Sequence, residues 1–185
     1  QLAAGVDTGD VYDVSRTPIT PDDTAGTVHD RLASLGAELL VHTLGRLAAG
    51  DVATTPQPDA GVTHAPMLDK REGSLRFDVS AERAHDRVRG LDPWPGVTVV
   101  HGDLRLRIRD TVALRLPADA APGTVVGIDD DGLRVACAEG QLLVREVQPA
   151  GRKAMRPIEC ARGYGLEAGS VLGPTDDFSI VEPRG

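Results

Sequence analysis

The apolar residues change period at Pro93-Trp94-Pro95-Gly96, and that switch restricts the chain to a fold with helices first and a sheet after them. Ahead of it, Val28, Leu32, Leu35, Leu39, Thr43 and Leu47 recur at steps of three and four, a single stripe along one long amphipathic helix. Pro21-Asp22-Asp23-Thr24 supplies the start, with Asp22, Asp23 or Thr24 as N-cap, and Gly50 supplies the stop. A shorter helix is expected from Ser80 to about Arg89, with Ala81, Ala84 and Val88 on its apolar side and Gly90 just past its end. Behind the switch the period is two. Thr98–His101, Leu104–Arg109, Thr124–Ile128, Leu133–Cys137 and Leu142–Val147 read as short strands. Turn signals separate them at Gly102-Asp103, Pro122-Gly123, Asp131-Gly132 and Glu139-Gly140. Five short strands so spaced predict a small antiparallel β-barrel. Gly9–Ile19 alternates loosely and is expected to be a strand. The proline-bearing stretch 51–66 is expected to be an extended linker, and one helical turn is expected near Pro157–Ala161.

Only 3% of the residues are aromatic, so any core must be assembled from Leu, Val, Ile and Ala. A net charge of −8 excludes a domain-wide basic field for polyanions. The charge is uneven, however: residues 1–63 hold three Arg against nine Asp and Glu, whereas residues 64–185 hold 17 Lys and Arg against 19 acids. Affinity for a polyanion would therefore come from local arginine clusters in the second part. No apolar run approaches the roughly 18 residues a membrane helix needs, and no basic-apolar leader is present, so no membrane partner is expected. Cys137 and Cys160 do not form a disulfide framework and suit a reducing, cytoplasmic setting. The opening Gln1-Leu2-Ala3-Ala4-Gly5 has no methionine and no helix or strand onset, as expected of a chain with an upstream part.

Four stretches carry more specific information. They are Gly5-Val6-Asp7-Thr8-Gly9-Asp10, Thr24 to Leu32, Arg89-Gly90-Leu91-Asp92-Pro93-Trp94-Pro95-Gly96, and Gln148-Pro149-Ala150-Gly151-Arg152-Lys153-Ala154-Met155. In this order and separation they resemble the methionyl-tRNA formyltransferase family, up to about Gly173. Met67 stands where the family commonly has lysine, and Leu75-Arg76-Phe77 where an Ile-Asp-Trp type segment is usual. The resemblance implies that residues 1–50 end a Rossmann-like α/β catalytic domain, that 51–79 are a linker, and that 80–185 form an OB-like tRNA-binding barrel. The last dozen residues are left unassigned.

The implied reaction moves a formyl group from 10-formyltetrahydrofolate to the amino group of initiator methionyl-tRNA, for translation initiation. It needs a deprotonated amine, a stabilised oxyanion and a proton for the departing folate nitrogen. The family shares these tasks among an Asn, a His and an Asp. Asp7 matches the Asp and would orient and charge-stabilise the histidine. The Asn and His would lie upstream, so residues 1–185 alone are expected to be inactive. Ala4, Gly5 and Val6 would offer backbone groups to the pterin ring. By residue type alone, Asp7 before Thr8-Gly9 is also an ordinary turn former. The five histidines, at 29, 42, 64, 85 and 101, are expected to be structural or solvated.

The family's second domain faces tRNA with basic residues, which assigns that role first to Arg152 and Lys153 and then to Arg89 and Lys70. Such phosphate contacts supply salt-sensitive affinity rather than base identity. Arg105, Arg107 and Arg109 alternate with apolar residues and share one strand face. They either track a backbone or are the wet face of a sheet neutralised by cross-strand acids, and the second reading is preferred. Asp129-Asp130-Asp131-Gly132 lacks the glutamate that closes a calcium loop and is a turn. The two cysteines lack zinc spacing, so no metal is expected. Trp94 is expected to anchor packing at the domain junction rather than to stack on a base. The family precedent implies a monomer. Other folate-dependent formyltransferases, formyltetrahydrofolate hydrolases and a standalone RNA-binding module are the alternatives.

Overall fold

A computed structural model describes residues 1–58 and 60–175. The chain divides into two compact units, Gln1–Met67 and Leu68–Gly185.

In the first unit one helix dominates, α1 (Ala25–Ala48). Thr24 is its N-cap and forms a reciprocal pair with Thr27: each side chain accepts from the other residue's backbone amide. Asp23 reinforces this end by accepting from the Thr20 amide at 2.7 Å, the Thr27 hydroxyl at 3.0 Å and the Arg31 guanidinium at 2.7 Å. The Arg31 guanidinium and the Thr20 amide hold its carboxyl well below the usual carboxylate range. The stretch Thr24 to Leu32 is therefore a capping cluster in which several residues collaborate. Chain direction reverses after Ala49, where Gly50 has a positive φ of 89°. No residue of α1 is buried, and Leu32, Leu40 and Leu44 are each at least half exposed. Its polar flank is tied down instead, with Thr43 and Arg46 both donating to Asp13. The expected strand over Gly9–Ile19 does not form. Val11 makes one antiparallel bridge with Thr55, and residues 12–20 run on without a ladder partner. Alternation there had no adjoining strand to pair with, and Val14 and Ile19 are exposed.

The second unit is built on a five-stranded antiparallel sheet: β1 (Val97–His101), β2 (Leu104–Leu114), β3 (Val125–Asp129), β4 (Gly132–Ala136) and β5 (Gln141–Pro149). The strands lie in the order β1-β2-β5-β4-β3. Two helices, α2 (Ala81–Gly90) and α3 (Pro157–Tyr164), and a 3-10 turn at Lys70–Gly73 complete it. Ser80 caps α2 as expected, although Gly90 is its last residue rather than the one after it. Inward residues of the strands, such as Val99, Leu106, Val135, Leu142 and Val144, bury themselves against Ala84 and Val88 of α2 and against Cys160 of α3. Leu75 and Phe77, ahead of α2, belong to the same core.

Two features of this sheet were not expected. β2 runs on to Leu114 through a bulge, where the register slips on either side of Asp110. Arg109 and Asp110 are consecutively exposed, and Thr111, rather than Asp110, turns inward. Across from it, Arg145 and Glu146 interrupt β5 in the same way, so the inward set resumes in step on both strands. A bulge of this kind bends the pair and increases its twist. The second feature concerns closure. Among the described residues no ladder joins β1 to β3, so the sheet is open where a closed barrel was expected. Residues 169–173 bridge the two edges instead. Gly173 exchanges both backbone bonds with Val100 at 2.9 Å, while Gly169, Ser170 and Leu172 bond to Gly123 and Val125 at 2.8 Å. No helix among the described residues is long and apolar enough to cross a membrane.

Candidate functional site

Ala4, Gly5, Val6 and Asp7 share one exposed turn in the first unit. Asp7 is the only non-glycine with a positive φ among the described residues, at 56°. This left-handed conformation disfavours a residue with a Cβ, and Asp tolerates it better than most. Thr8 donates its hydroxyl to the Gly5 carbonyl at 3.1 Å. Gly9 is required sterically, because a Cβ there would collide with the Gln1 carbonyl. The sequence did not point to Gln57, yet its side-chain amide donates to the carbonyls of Asp7 at 2.9 Å and Gly9 at 2.7 Å. Nearby, the Thr54 hydroxyl donates to Asp10 at 2.9 Å. The turn therefore presents an exposed carboxylate beside solvent-facing backbone at residues 4–6.

In the second unit the four cations singled out from the sequence lie on three separate elements. Lys70 opens the 3-10 turn, Arg89 is in the last turn of α2, and Arg152 and Lys153 follow β5. Arg89 bonds to Asp86 at 2.8 Å. Arg152 and Lys153 are exposed, and no acid pairs with either among the described residues. Their turn is rigidly framed. Gly151 has a φ of 71°, the Gln148 side chain donates to the Arg152 carbonyl at 2.9 Å, and Val147 exchanges backbone bonds with Met155. Most of the Gln148–Met155 stretch thus builds the turn, and its two cationic side chains face solvent beside Ala150 and Ala154.

The arginines of β2 separate by role. Arg109 meets Glu146 of β5 at 3.4 Å. Arg107 donates to the Pro93 carbonyl and lies 3.4 Å from Asp92, so it braces the Asp92–Gly96 loop. Gly96 lacks a side chain because a Cβ there would meet the Arg107 guanidinium. Arg109 thus has the cross-strand acid that the neutralised reading requires, whereas the acid beside Arg107 lies in a loop and not across the sheet. The β2 register sets Arg105 close to the turn after β5, where its carbonyl accepts from the Ala150 amide at 3.1 Å. Trp94 is 53% exposed, and within the second unit its loop is held by Arg107 and by the Gly96-to-Leu91 backbone bond.

His85 hydrogen-bonds Thr111 at 2.9 Å beside the β2 bulge, and the Val171 carbonyl lies 2.9 Å from Nδ1 of His101. Both have structural work, as expected. Asp129 accepts from the amides of Asp131 and Gly132 and meets Arg134 at 2.9 Å, which makes the acidic run a β3–β4 turn as read. Cys137 and Cys160 are both buried free thiols. Burial pushes the Cys137 thiol up to about 11 and raises that of Cys160.

A model of the formyl transferase, C-terminal domain, family matches residues 67–165. The methionyl-tRNA formyltransferase of Thermus thermophilus is 44% identical over 177 residues, covering 94% of this chain and 55% of that protein. Its namesake from Symbiobacterium thermophilum is 41% identical over 174 residues, covering 93% and 53%. The chain spans about half the length of the curated relatives it matches. The crystal structure of HypX from Aquifex aeolicus in complex with tetrahydrofolic acid superposes with a TM-score of 0.64. The identity there is 14%, over 97% of this chain and 32% of that one, so this likeness is one of fold.

Proposed function

The chain belongs to the formyl transferase, C-terminal domain, family, and on that premise we propose that the polypeptide carrying it is a methionyl-tRNA formyltransferase. It transfers the formyl group of 10-formyltetrahydrofolate to the amino group of initiator methionyl-tRNA. One observation carries this reading: identity above 40% to enzymes of that name runs through both units, over more than nine-tenths of the chain.

On this reading residues 1–50 end the catalytic domain, 51–79 link it onward, and 80–185 form the tRNA-binding domain. The catalytic domain is Rossmann-like. The sheet is the larger part of an OB-like barrel, and the double bonding of residues 169–173 to its two edges supports that view. Asp7 orients and charge-stabilises a histidine supplied from upstream. The chemistry at its turn suits the donor. The backbone at Ala4 and Val6 faces solvent, and the alternating donors and acceptors of a pterin edge are matched by such peptide groups. Arg152 and Lys153, with Arg89 and Lys70, contact tRNA phosphates. Their exposure without acidic partners supports the first two most strongly, while Arg89 would have to share its charge with Asp86. The protein works as a cytoplasmic monomer.

The test is formylation of methionyl-tRNA by the full-length polypeptide with 10-formyltetrahydrofolate. Activity is expected from it and none from residues 1–185 alone. Hydrolysis of the donor, or transfer to a sugar nucleotide, with no product on methionyl-tRNA would sink the reading. Replacing Arg152 and Lys153 with Ala should weaken tRNA binding and flatten its salt dependence by about one unit of slope per lost cation.

A further inference from the structure

The Asp7 turn is shaped by a residue fifty positions away. Val11 and Thr55 exchange both backbone bonds, at 2.9 and 2.8 Å, which sets the antiparallel register of the two segments. Two residues back from Val11 and two on from Thr55, that register brings Gly9 opposite Gln57. Gly9 offers no side chain to obstruct the approach. Pro56 and Pro58 flank Gln57, and their fixed φ favours an extended course on either side of it. The amide nitrogen of Gln57 carries two hydrogens, and both are used, one on the Asp7 carbonyl and one on the Gly9 carbonyl. Asp7 is itself the first point of attachment and holds a left-handed conformation at φ 56°. A conformation of that kind persists only where its surroundings over-determine it.

We propose that Gln57 is a positioning residue for Asp7: its side-chain amide clamps the carbonyls of Asp7 and Gly9 and so fixes the direction in which the Asp7 carboxylate projects. The inference rests on the catalytic reading of Asp7. Only a double donor of this length serves. Glutamate has the same shape but sets a carboxylate against two carbonyl oxygens, whereas the ammonium of lysine can still donate to both. Gln57 itself touches no reacting atom on this account. Its effect should appear in kcat and not in the capture of either substrate.

The experiment compares five forms of the full-length polypeptide in methionyl-tRNA formylation: wild type, Asp7→Asn, Gln57→Glu, Gln57→Lys and the Asp7→Asn, Gln57→Glu double variant. Gln57→Glu is expected to lower kcat by about tenfold to a hundredfold, the scale on which small misplacements of a reacting group act. Both KM values and the melting temperature should stay near wild type, and Gln57→Lys should recover a clear part of the loss. Asp7→Asn combined with Gln57→Glu should be no slower than Asp7→Asn alone. A wild-type kcat for Gln57→Glu beside an inactive Asp7→Asn overturns the clamp and leaves the reading of Asp7 standing. An Asp7→Asn form with wild-type kcat removes both. Equal losses in the Glu and Lys forms together with a fall in melting temperature mark Gln57 as merely structural and overturn the proposal.

Discussion

Helix α1 and the sheet of the second unit hold together in opposite ways. In the sheet, Val99, Leu106, Leu142 and Val144 are all at most 1% exposed, and α2 and α3 add to the same core. In α1 the apolar stripe is as regular, yet none of its 24 residues is buried. Its order comes from an N-cap, the bonds that Thr20, Thr27 and Arg31 donate to Asp23, and Arg46 reaching Asp13 and Asp51. The difference teaches that periodicity announces which face an element would bury and says nothing about what buries it. Helices owe most of their stability in proteins to such burial. Local caps and exposed ion pairs supply much less each.

Four measurements would break or sharpen that contrast. The largest effect is expected for Leu106→Ala, which empties a fully buried site and should cost the second unit about 2–5 kcal/mol in denaturant unfolding. A loss below about 1 kcal/mol would mean the sheet is less self-sufficient than its burial indicates. Next comes alkali. Cys137 keeps its proton in the folded state up to about 11, while the unfolded thiol ionises from 9.0. Unfolding therefore releases a proton over this window, and stability falls as pH rises through it, by at most about 1.4 kcal/mol per unit. Cys137→Ala should flatten that decline, whereas a decline unchanged by the substitution would assign it to other groups. The first unit should respond at the other end of the scale. Asp23 has a lowered folded pKa, so its support is complete above the unfolded carboxylate value and is lost as pH falls below it. Thr24→Ala removes the other half of that cap and should cost about 1 kcal/mol of helix stability, read by circular dichroism of residues 1–67. The smallest effect belongs to Leu40→Ala on the open face of α1, expected within about 0.5 kcal/mol in this chain. A loss of Leu106 size there would show that the face is covered in solution.

Much of the fold was legible because it is local. Apolar spacing gave both main helices to within a residue or two, and the pairs of turn residues between the strands gave all five strands in order. The parity change in β2 was not legible. Arg109-Asp110 and Arg145-Glu146 are consecutive polar pairs that look like ordinary breaks in alternation until the two strands are set side by side. The strand expected at Gly9–Ile19 failed for the complementary reason, since alternation cannot supply a neighbour. At the candidate site, the motif containing Asp7 was visible as residues and Gln57 was not. A glutamine between two prolines carries no signal until chain reversal brings it to a carbonyl fifty positions earlier. Arg107 was hidden in the same way, because its partner loop at Asp92–Pro93 precedes it by a turn and a strand.

The double attachment of residues 169–173 has a consequence for how the chain is made. His101 on β1 meets the Val171 carbonyl across a separation of 70 residues, and the backbone bonds of Gly173 to Val100 reach slightly further. Synthesis at about 5–20 residues per second leaves several seconds between the emergence of β1 and of the segment that covers its edge. Throughout that interval parts of both margins of the growing sheet, the Val100 and Val125 amides among them, lack the partners they later find. Contacts over such separations are also the slow ones to form. The edges of the sheet are therefore least protected after β5 has been translated and before Gly173 has arrived.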